Sequence, residues 1–260
     1  MCKPLHFASL DYVINPWMTP GIIDNTKAMK QWTKLVTTYN DLGIAVEIID
    51  QQKDSPDMVF AADQGIVHKN KLILSRFWHP ERRGETKHYH DWFRNSGYEI
   101  QHLPDDVFFE GHGNAAFWNE ILFVGVGYRA HHTTHKKLVK IFDREVIPLE
   151  TIDPLFYHLD VGFLPLNNDT AFYYPGAFSD TAKKSLKKHV PNLIPLSKEE
   201  AMGFVANSVV TDHTVVHQAG NPTFIKKLNE LGYTSVEVDL SEFKKSGGGA
   251  HCLTNILEAK

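Results

Sequence analysis

Residues 222–240, PTFIKKLNELGYTSVEVDL, combine a helical pattern, one glycine and a β-rich run. A glycine just past a helix supplies the left-handed residue that ends it, so this stretch predicts a helix over Pro222–Leu231, a cap at Gly232 and then a strand. The same order recurs at two other places. In the first, a predicted helix over Asn25–Leu42 is followed by Gly43 and the run IAVEIID; in the second, a predicted helix over His88–Ser96 is followed by Gly97 and YEIQHL. Two further strands follow helical stretches without the glycine, EVIPLE from Glu145 after Thr133–Phe142 and NLIPL from Asn192 after Thr181–His189.

These predicted strands start near residues 46, 98, 145, 192 and 235, at spacings of 52, 47, 47 and 43 residues. A period of roughly 45–50 residues is typical of an internally repeated architecture. Each unit is expected to hold a strand, a second strand, a third strand and a helix. The fifth unit has predicted strands at Val236 and Cys252, and its missing strand and helix would come from LHFASL and Lys27–Leu42 at the N-terminus. We therefore expect one α/β domain over residues 1–260, a ring closed by the N- and C-terminal segments, with an evenly spaced α/β sandwich as the alternative.

The second predicted strand of each unit ends in a polar side chain at about the same local position. A ring would bring these five positions together on its axis. The segments and their polar residues are PDMVFAAD with Asp63, DDVFFEGHGN with Glu110, PLFYHLD with His158 and Asp160, MGFVANS with Asn207, and GGGAHCLT with Cys252.

This set of side chains suits attack on a cationic carbon. A cysteine attacks as its thiolate, and the three glycines before Cys252 would let backbone and substrate approach closely. His158 could donate a proton to a leaving amine and then activate water, with Glu110 orienting the imidazole. Carboxylates such as Asp63 and Asp160 are needed if the electrophile is a planar guanidinium, which carboxylates bind in a bidentate manner.

The pieces FEGHGN, YHLD, VDLSEFKKSGGGAHCLT and INPWM resemble the guanidino-group-modifying (amidinotransferase, or pentein) superfamily. The chain is most similar to its dimethylarginine dimethylaminohydrolases, arginine deiminases and arginine dihydrolases. The resemblance implies a five-bladed ββαβ propeller with pseudo-fivefold symmetry, an axial active site, and no metal or organic cofactor.

The resemblance also implies a role for each motif residue. Cys252 would be the nucleophile that forms a covalent amidino-thioether, His158 the general acid and base, and Glu110 its partner. Asp63 and Asp160 would hold the guanidinium nitrogens. The remaining substrate-binding residues would be Asp57 for the α-amino group, and Arg82 and Arg129 for the carboxylate.

The chain departs from the family pattern at several positions. Many relatives carry Asp where this chain has Asn114, some dimethylaminohydrolases carry an acidic residue where it has Ala62, and a threonine is common at Val161. Arginine dihydrolases carry Asn where this chain has Asp63, which bears on whether a second, ornithine-releasing hydrolysis occurs.

The predicted function is cleavage of a C–N bond of free arginine or N-methylated arginine, giving citrulline and either ammonia or a methylamine. Three alternatives stay open. They are an arginine dihydrolase that yields ornithine, carbon dioxide and ammonia, an amidinotransferase, and a non-enzymatic binding protein of pentein fold. The segment Asn15–Asp24, with two prolines and one glycine, is expected to form a lid over the site.

The composition argues against several classes of protein. The 27 Lys and Arg residues against 31 Asp and Glu give a formal net charge of −4, which argues against a nucleic-acid binder. Two cysteines cannot build a disulfide framework, no apolar run reaches the roughly 20 residues of a membrane span, and the N-terminus lacks the layout of a secretory signal. We expect a cytoplasmic protein, and its assembly into a homo-oligomer is open.

His131 and His135 have the i, i+4 spacing of zinc ligands, but the stretch HHTTH is interpreted as a solvated helix face.

Overall fold

The structure, a computed structural model, describes residues 1–8 and 10–257. This part of the chain contains five small β-sheets, and four of them follow one plan. Two antiparallel strands form a hairpin, a helix follows, and a third strand pairs in parallel with the second strand of the hairpin. Each of these units is therefore ββαβ, and the predicted α/β class is confirmed.

The elements follow in chain order. The first, two-stranded sheet pairs β1 (Cys2–Lys3) with β2 (Ile49–Asp50) in parallel, on either side of α1 (Asn25–Asp41). The strands of the other sheets are β3 (Gly65–His68), β4 (Lys71–Leu74) and β5 (Glu99–Gln101); β6 (Ala115–Trp118), β7 (Ile121–Val126) and β8 (Glu145–Glu150); β9 (Phe163–Pro165), β10 (Thr170–Tyr173) and β11 (Asn192–Pro195); and β12 (Val209–Thr211), β13 (Thr214–Gln218) and β14 (Thr234–Val238). The helices before the third strands are α2 (Glu85–Asn95), α3 (Thr134–Phe142), α5 (Asp180–His189) and α7 (Pro222–Glu230). Three short helices complete the set, α4 (Leu159–Gly162), α6 (Lys198–Met202) and α8 (Ser241–Lys244).

The five predicted helices are confirmed, with ends that differ by one residue in most cases. Helix α2 differs most, because it begins at Glu85, three residues before the predicted start. The predicted glycine caps are confirmed too, since Gly43, Gly97 and Gly232 have φ values of +77°, +87° and +79°. Only a residue without a Cβ adopts this left-handed conformation at little cost, so the glycines end the helices.

The predicted second strand of each unit is wrong. Residues 56–59, 61–64, 111–113 and 154–156 form 3₁₀ turns, Asn207 follows a turn after α6, and the expected strand at Cys252 is a run of turns. Residues 56–59, 61–64 and 111–113 are buried throughout, so they lack the polar alternation that would distinguish a strand from a buried turn. Pro56 at the first turn position and Gly111, with φ of +52°, favour tight turns instead.

The N-terminal strand is also misplaced by the sequence pattern. Residues 5–8 and 10 of LHFASL form no strand, and Ser9 lies outside the described residues. The strand that pairs with β2 is instead β1. In the same way, β2 begins only at Ile49, although IAVEIID predicts a start near residue 46.

The buried apolar side chains form five clusters, and each cluster joins neighbouring units. One cluster packs Phe7, Trp32 and Leu35 of the N-terminal unit against Val216 and Val238 of the last sheet. Phe7 also stacks on Phe243 with ring centroids 4.9 Å apart. A cluster that includes Cys2, Ile49, Val67, Leu72 and Phe93 joins the first sheet to the second.

No helix in residues 1–8 and 10–257 combines the length and the apolar character that crossing a membrane requires.

Candidate active site

The four ββαβ units each begin just after a turn or short helix that carries polar side chains. Asp63 precedes β3, Glu110 precedes β6, Asp160 precedes β9 and Asn207 precedes β12. The units pack against their neighbours through these turns, so side chains far apart in sequence meet in one place. The structure brings together Asp63, Glu110, His158, Asp160, Asn207 and Cys252, none of them more than 6 % exposed.

His158 and Glu110 form one half of this cluster. The Nε2 atom of His158 lies 2.7 Å from Oε2 of Glu110. Glu110 also accepts hydrogen bonds from the backbone N–H of Trp78 at 3.0 Å and from Arg129 at 3.1 Å. Burial acts to raise the pKa of Glu110, but the charge of Arg129 and the bond to His158 outweigh it and hold the pKa below its usual range. An ionised Glu110 accepts the Nε2–H of His158, so the free lone pair of the neutral ring is on Nδ1.

The free side of His158 faces Asp63. Its Nδ1 lies 3.5 Å from Oδ1 of Asp63 and has no hydrogen-bond partner among residues 1–8 and 10–257. Gly113 lines this gap, because a Cβ there would overlap Oδ1 of Asp63 and lie 2.8 Å from Nδ1 of His158. Gly113, the second glycine of FEGHGN, therefore keeps the space between His158 and Asp63 open.

Cys252 forms the other half of the cluster. Its thiol donates to Oδ2 of Asp160 at 3.1 Å, and the side-chain amide of Asn207 donates to its sulfur at 3.0 Å. The amide oxygen of Asn207 accepts from the backbone N–H groups of Gly249 and Cys252, at 2.9 and 3.1 Å. Asn207 is thus fixed by the loop that carries the cysteine and holds a donor against the sulfur.

Burial, and then the charges of Asp160 and Asp63, raise the pKa of the Cys252 thiol well above its ordinary value, against the smaller effect of Asn207. The thiol is therefore protonated at neutral pH when only these residues surround it. A cation bound between the carboxylates would reverse the sign of the local charge and favour the thiolate. This arrangement of charges therefore suits a cationic ligand.

Arg82 lies within the cluster, although many arginines lie on the surface. It is 3 % exposed, lies 4.3 Å above the ring of Phe77, and donates to Oδ2 of Asp63 at 2.6 Å. The rest of its guanidinium bonds to the carboxylate of Glu85 and to the carbonyl oxygen of Asp57. The guanidinium of Arg82 itself occupies one oxygen of Asp63.

Arg129 and Asp57 connect the site to the N-terminal segment. Arg129 lies over the ring of Tyr157 at 4.5 Å and donates to the carbonyl oxygen of Ile14 at 2.9 Å. Asp57 accepts a hydrogen bond from the hydroxyl of Tyr12 at 2.9 Å. These two contacts place residues 12–14 over the predicted substrate-binding residues.

The segment predicted to form a lid, Asn15–Asp24, continues from residues 12–14 and packs on the same side of the candidate site. Asn15 is buried and donates to the carbonyl oxygen of Ser246, next to the glycines that precede Cys252. The indole of Trp17 donates to the carbonyl oxygen of Leu155 at 2.9 Å. The segment therefore covers the site here, while its opening is still a prediction.

Several residues of this site have no predicted role in the sequence. Asn207 shares the local position of the other polar residues, and that position is a signal for its contact with Cys252. His251 lies 2.9 Å from Asp160 and adjoins Cys252, but a lone histidine beside a cysteine carries no specific signal. Glu85 and Tyr12 meet the site only through tertiary packing. Within the described ranges, no group of three or more His, Cys, Asp and Glu side chains is arranged to hold a metal ion.

The sequence and fold match known proteins over nearly the whole chain. The sequence model of the family described as N,N dimethylarginine dimethylhydrolase, eukaryotic, matches residues 8–258. The bifunctional arginine dihydrolase/ornithine cyclodeaminase ArgZ of Synechocystis sp. is 38 % identical over 260 residues, covering 98 % of this chain and 37 % of that protein. The N(G),N(G)-dimethylarginine dimethylaminohydrolase of Mycobacterium tuberculosis is 34 % identical over 258 residues, covering 98 % of this chain and 83 % of that protein. The chain spans little more than a third of the length of ArgZ.

A crystal structure of the N-terminal domain of ArgZ, an arginine dihydrolase from the ornithine–ammonia cycle in cyanobacteria, bound to substrate, superposes with a TM-score of 0.94 at 36 % identity, covering 97 % of this chain and 95 % of that chain. Together with the family match, this places the chain in the guanidino-group-modifying, or pentein, superfamily. Within that superfamily the chain belongs to the dimethylarginine dimethylaminohydrolase family.

Proposed function

We propose that this chain is a cysteine-dependent hydrolase of free arginine and that it carries the reaction through to ornithine. The observation that carries the proposal is a buried thiol, Cys252, beside the carboxylate of Asp160, close to Asp63 and to a His158–Glu110 pair. The two carboxylates suit a guanidinium, and the paired histidine suits proton transfer to and from its carbon. The relatives support arginine as the substrate, because the substrate-bound arginine dihydrolase matches 97 % of this chain at a TM-score of 0.94.

The first half of the reaction releases ammonia. Cys252 bonds through its sulfur to the guanidinium carbon, and one terminal C–N bond breaks. His158 delivers a proton to the departing nitrogen, so that the proton lost by the thiol is balanced by the one gained by ammonia. Water then adds to the amidino-thioether with His158 as base, the C–S bond breaks, and citrulline and the free thiol result.

The second half repeats the chemistry on the ureido carbon of citrulline. The sulfur of Cys252 bonds to this carbon, the bond to the side-chain nitrogen breaks, and ornithine leaves with a proton. Water then hydrolyses the carbamoyl-thioester to carbamic acid, which divides into carbon dioxide and ammonia. One arginine and two waters thus yield ornithine, carbon dioxide and two molecules of ammonia.

The remaining predicted residues are proposed to bind the amino-acid end of the substrate. Asp57 would face the α-amino group, and Arg82 and Arg129 the carboxylate. In the structure both arginines contact buried carboxylates, Asp63 and Glu110 respectively. Binding the substrate carboxylate would therefore require Arg82 to share or leave its contact with Asp63.

A second candidate is a reaction that stops at citrulline, and Asp63 is the observation that favours it. A carboxylate is only an acceptor, and so is the ureido oxygen of citrulline, whereas an asparagine could donate to that oxygen. Asp63 holds a cationic guanidinium well but offers no donor to the ureido oxygen of the neutral product. Under this reading citrulline would leave before a second attack.

A product assay by mass spectrometry distinguishes these reactions. We would supply arginine, asymmetric dimethylarginine and citrulline separately, with and without an acceptor amine, beside Cys252→Ser and His158→Ala. Ornithine from arginine and from citrulline without an acceptor supports the dihydrolase, citrulline alone supports the second candidate, and ornithine only with the amine identifies a transferase. Full turnover in both variants would refute the cysteine mechanism. In the second case, Asp63→Asn should increase the share of ornithine.

We also propose that residues 1–260 form one catalytic domain whose five sheets close as the blades of a propeller. The support comes from the buried clusters, which join successive sheets and join the N-terminal unit both to the last sheet and to the second sheet. Phe7→Ala should then cost about 3–5 kcal/mol of unfolding free energy, because it removes a buried ring where the two termini meet. Denaturant unfolding measures this, and a loss below about 1 kcal/mol would contradict the closure.

A further inference from the structure

His251 contacts the same carboxylate oxygen as the proposed nucleophile. Its Nδ1 lies 2.9 Å from Oδ2 of Asp160, and the Cys252 thiol lies 3.1 Å from that oxygen. Since a carboxylate only accepts hydrogen bonds, Nδ1 of His251 carries the proton in this contact. Oδ1 of Asp160 has no hydrogen-bond partner in the described part of the chain. The two oxygens of Asp160 therefore differ, one engaged twice and the other free.

In the described part of the chain, the hydrogen bonds to the Asp160 carboxylate come from His251 and from the Cys252 thiol. A cavity of about 30 Å³ lies beside the carboxylate, and its walls include the apolar side chains of Leu164, Pro165 and Ala206 together with the His251 ring. The space is roughly that of one water molecule. Without the His251 donor, the carboxylate is free to rotate beside the thiol, and its two oxygens lose their separate positions.

We propose that His251 is a positioning residue for the hydrolase reaction, because its Nδ1–H holds Asp160 with one oxygen against Cys252 and leaves the other oxygen for the substrate guanidinium. The inference rests on the proposed function, since it assumes a guanidinium beside Asp160. It adds a residue outside the nucleophile, base and guanidinium set. His251 acts through Asp160 and touches no reacting atom.

The same contact affects the ionisation of the thiol. The titratable groups around Cys252 are Asp160 and Asp63, which both raise its pKa, together with Tyr157 and His251. His112 packs beside His251 with ring centroids 6.3 Å apart, and burial lowers its pKa to about 3, so it is neutral. Removing the donor from Asp160 leaves its charge less compensated and raises the pKa of the Cys252 thiol further.

Two substitutions separate the hydrogen bond from the volume of the ring. His251→Phe keeps a ring of similar size but has no donor, while His251→Asn places an amide N–H near the position of Nδ1. We expect His251→Phe to raise KM for arginine and to lower kcat/KM by about tenfold or more, and His251→Asn to stay within about threefold of the wild type.

A second readout needs no turnover. The alkylation rate of Cys252 by iodoacetamide, followed by mass spectrometry of its peptide between pH 7 and 9, reports the thiolate fraction. The higher thiol pKa expected in His251→Phe should lower this rate about tenfold, and His251→Asn should restore it. If the wild type does not hydrolyse arginine, the proposed function fails, but this arm still tests whether His251 controls the thiol.

The chain offers a matched control at its surface. His90 lies 2.9 Å from Asp91 through the same Nδ1 atom, and it lies on α2 outside the site. His90→Phe should leave KM, kcat and the alkylation profile unchanged. Wild-type values in His251→Phe would overturn the inference. Equal losses in both His251 variants with an unmoved alkylation profile would also overturn it, because they would indicate a role in packing only.

Discussion

Replacing Glu110 with glutamine tests the proposed acid–base pair most directly. The carboxylate is fully buried and accepts three hydrogen bonds, from His158, Arg129 and the backbone of Trp78. A glutamine amide has one oxygen and two donors. If the oxygen stays with Trp78, the NH₂ group meets two donors, so His158 must change tautomer and present its Nε2 lone pair.

The inverted tautomer places the proton on Nδ1, the nitrogen that faces Asp63. His158 then has no base on the reacting side. The corresponding change in a Ser-His-Asp triad lowers kcat by about 10⁴, and general acid–base catalysis contributes about 10²–10⁴. We therefore expect kcat of Glu110→Gln to fall by at least about 10².

Stability should fall as well, because Arg129 is 2 % exposed and would lose its anion. Removing one partner of a buried ion pair costs about 3–5 kcal/mol, or roughly 10 °C in Tm for a chain of this size. The pKa of Glu110 is lowered in the folded chain, so this stability is present above the ordinary glutamate pKa and is lost only as the pH falls through the folded value. The stabilities of the wild type and Glu110→Gln can therefore be compared at neutral pH, where the contribution of the ionised Glu110 is fully present.

Steady-state kinetics and thermal unfolding of Glu110→Gln measure both effects. Glu200→Gln is the matched control, because Glu200 is also buried and binds Lys227 and the backbone N–H of Ser197, away from the site. The control should lose stability and keep kcat. A Glu110→Gln enzyme with kcat within about threefold of the wild type would refute the assigned role of the pair.

Three further changes probe the surroundings of the site. Gly113→Ala should lower kcat by about 10² or more and the free energy of unfolding by about 1–3 kcal/mol, because the added methyl group separates Asp63 from His158. Steady-state kinetics and denaturant unfolding measure the two effects, and an unchanged kcat would contradict this prediction. Asn207→Ala should slow alkylation of the nucleophile at pH 8, because the thiolate loses its donor, and an unchanged rate would contradict that contact. For His112, burial lowers the folded pKa to about 3 from 6.5, so the unfolded chain binds the extra proton and stability falls as the pH drops from about 6.5 toward 3. His112→Leu should flatten urea-unfolding free energies across this window, and an unaltered slope would count against it.

The local elements were predictable because their signals are local. A glycine with positive φ ends each of three helices a few residues from the periodic pattern that announces it, and EVIPLE coincides with β8. The repeat spacing follows from the same elements. The turns that carry the site were not predictable as turns, because a short buried run such as PDMVF has no solvent-facing side to set a period.

The candidate site likewise has a part that the sequence predicts and a part that it does not. Cys252, His158, Glu110 and the two aspartates stand out in the sequence because their residue types and their common local position suggest one chemistry. Their arrangement in space, however, depends on contacts across 45 to 92 positions of the chain, such as Asn207 with Cys252 and Asp160 with Cys252.

The amino-acid sequence thus determines the helices, the caps, the repeat and the chemical character of the site, since each depends on neighbouring residues or on residue type. Only the tertiary structure decides that Arg82 binds Asp63 and Glu85, that Asn207 contacts Cys252 and His251 contacts Asp160, and that the first residues pack against the last sheet. The reason is physical. Burial desolvates these groups and makes each contact depend on a partner from another unit, and no local pattern specifies which partner will be there.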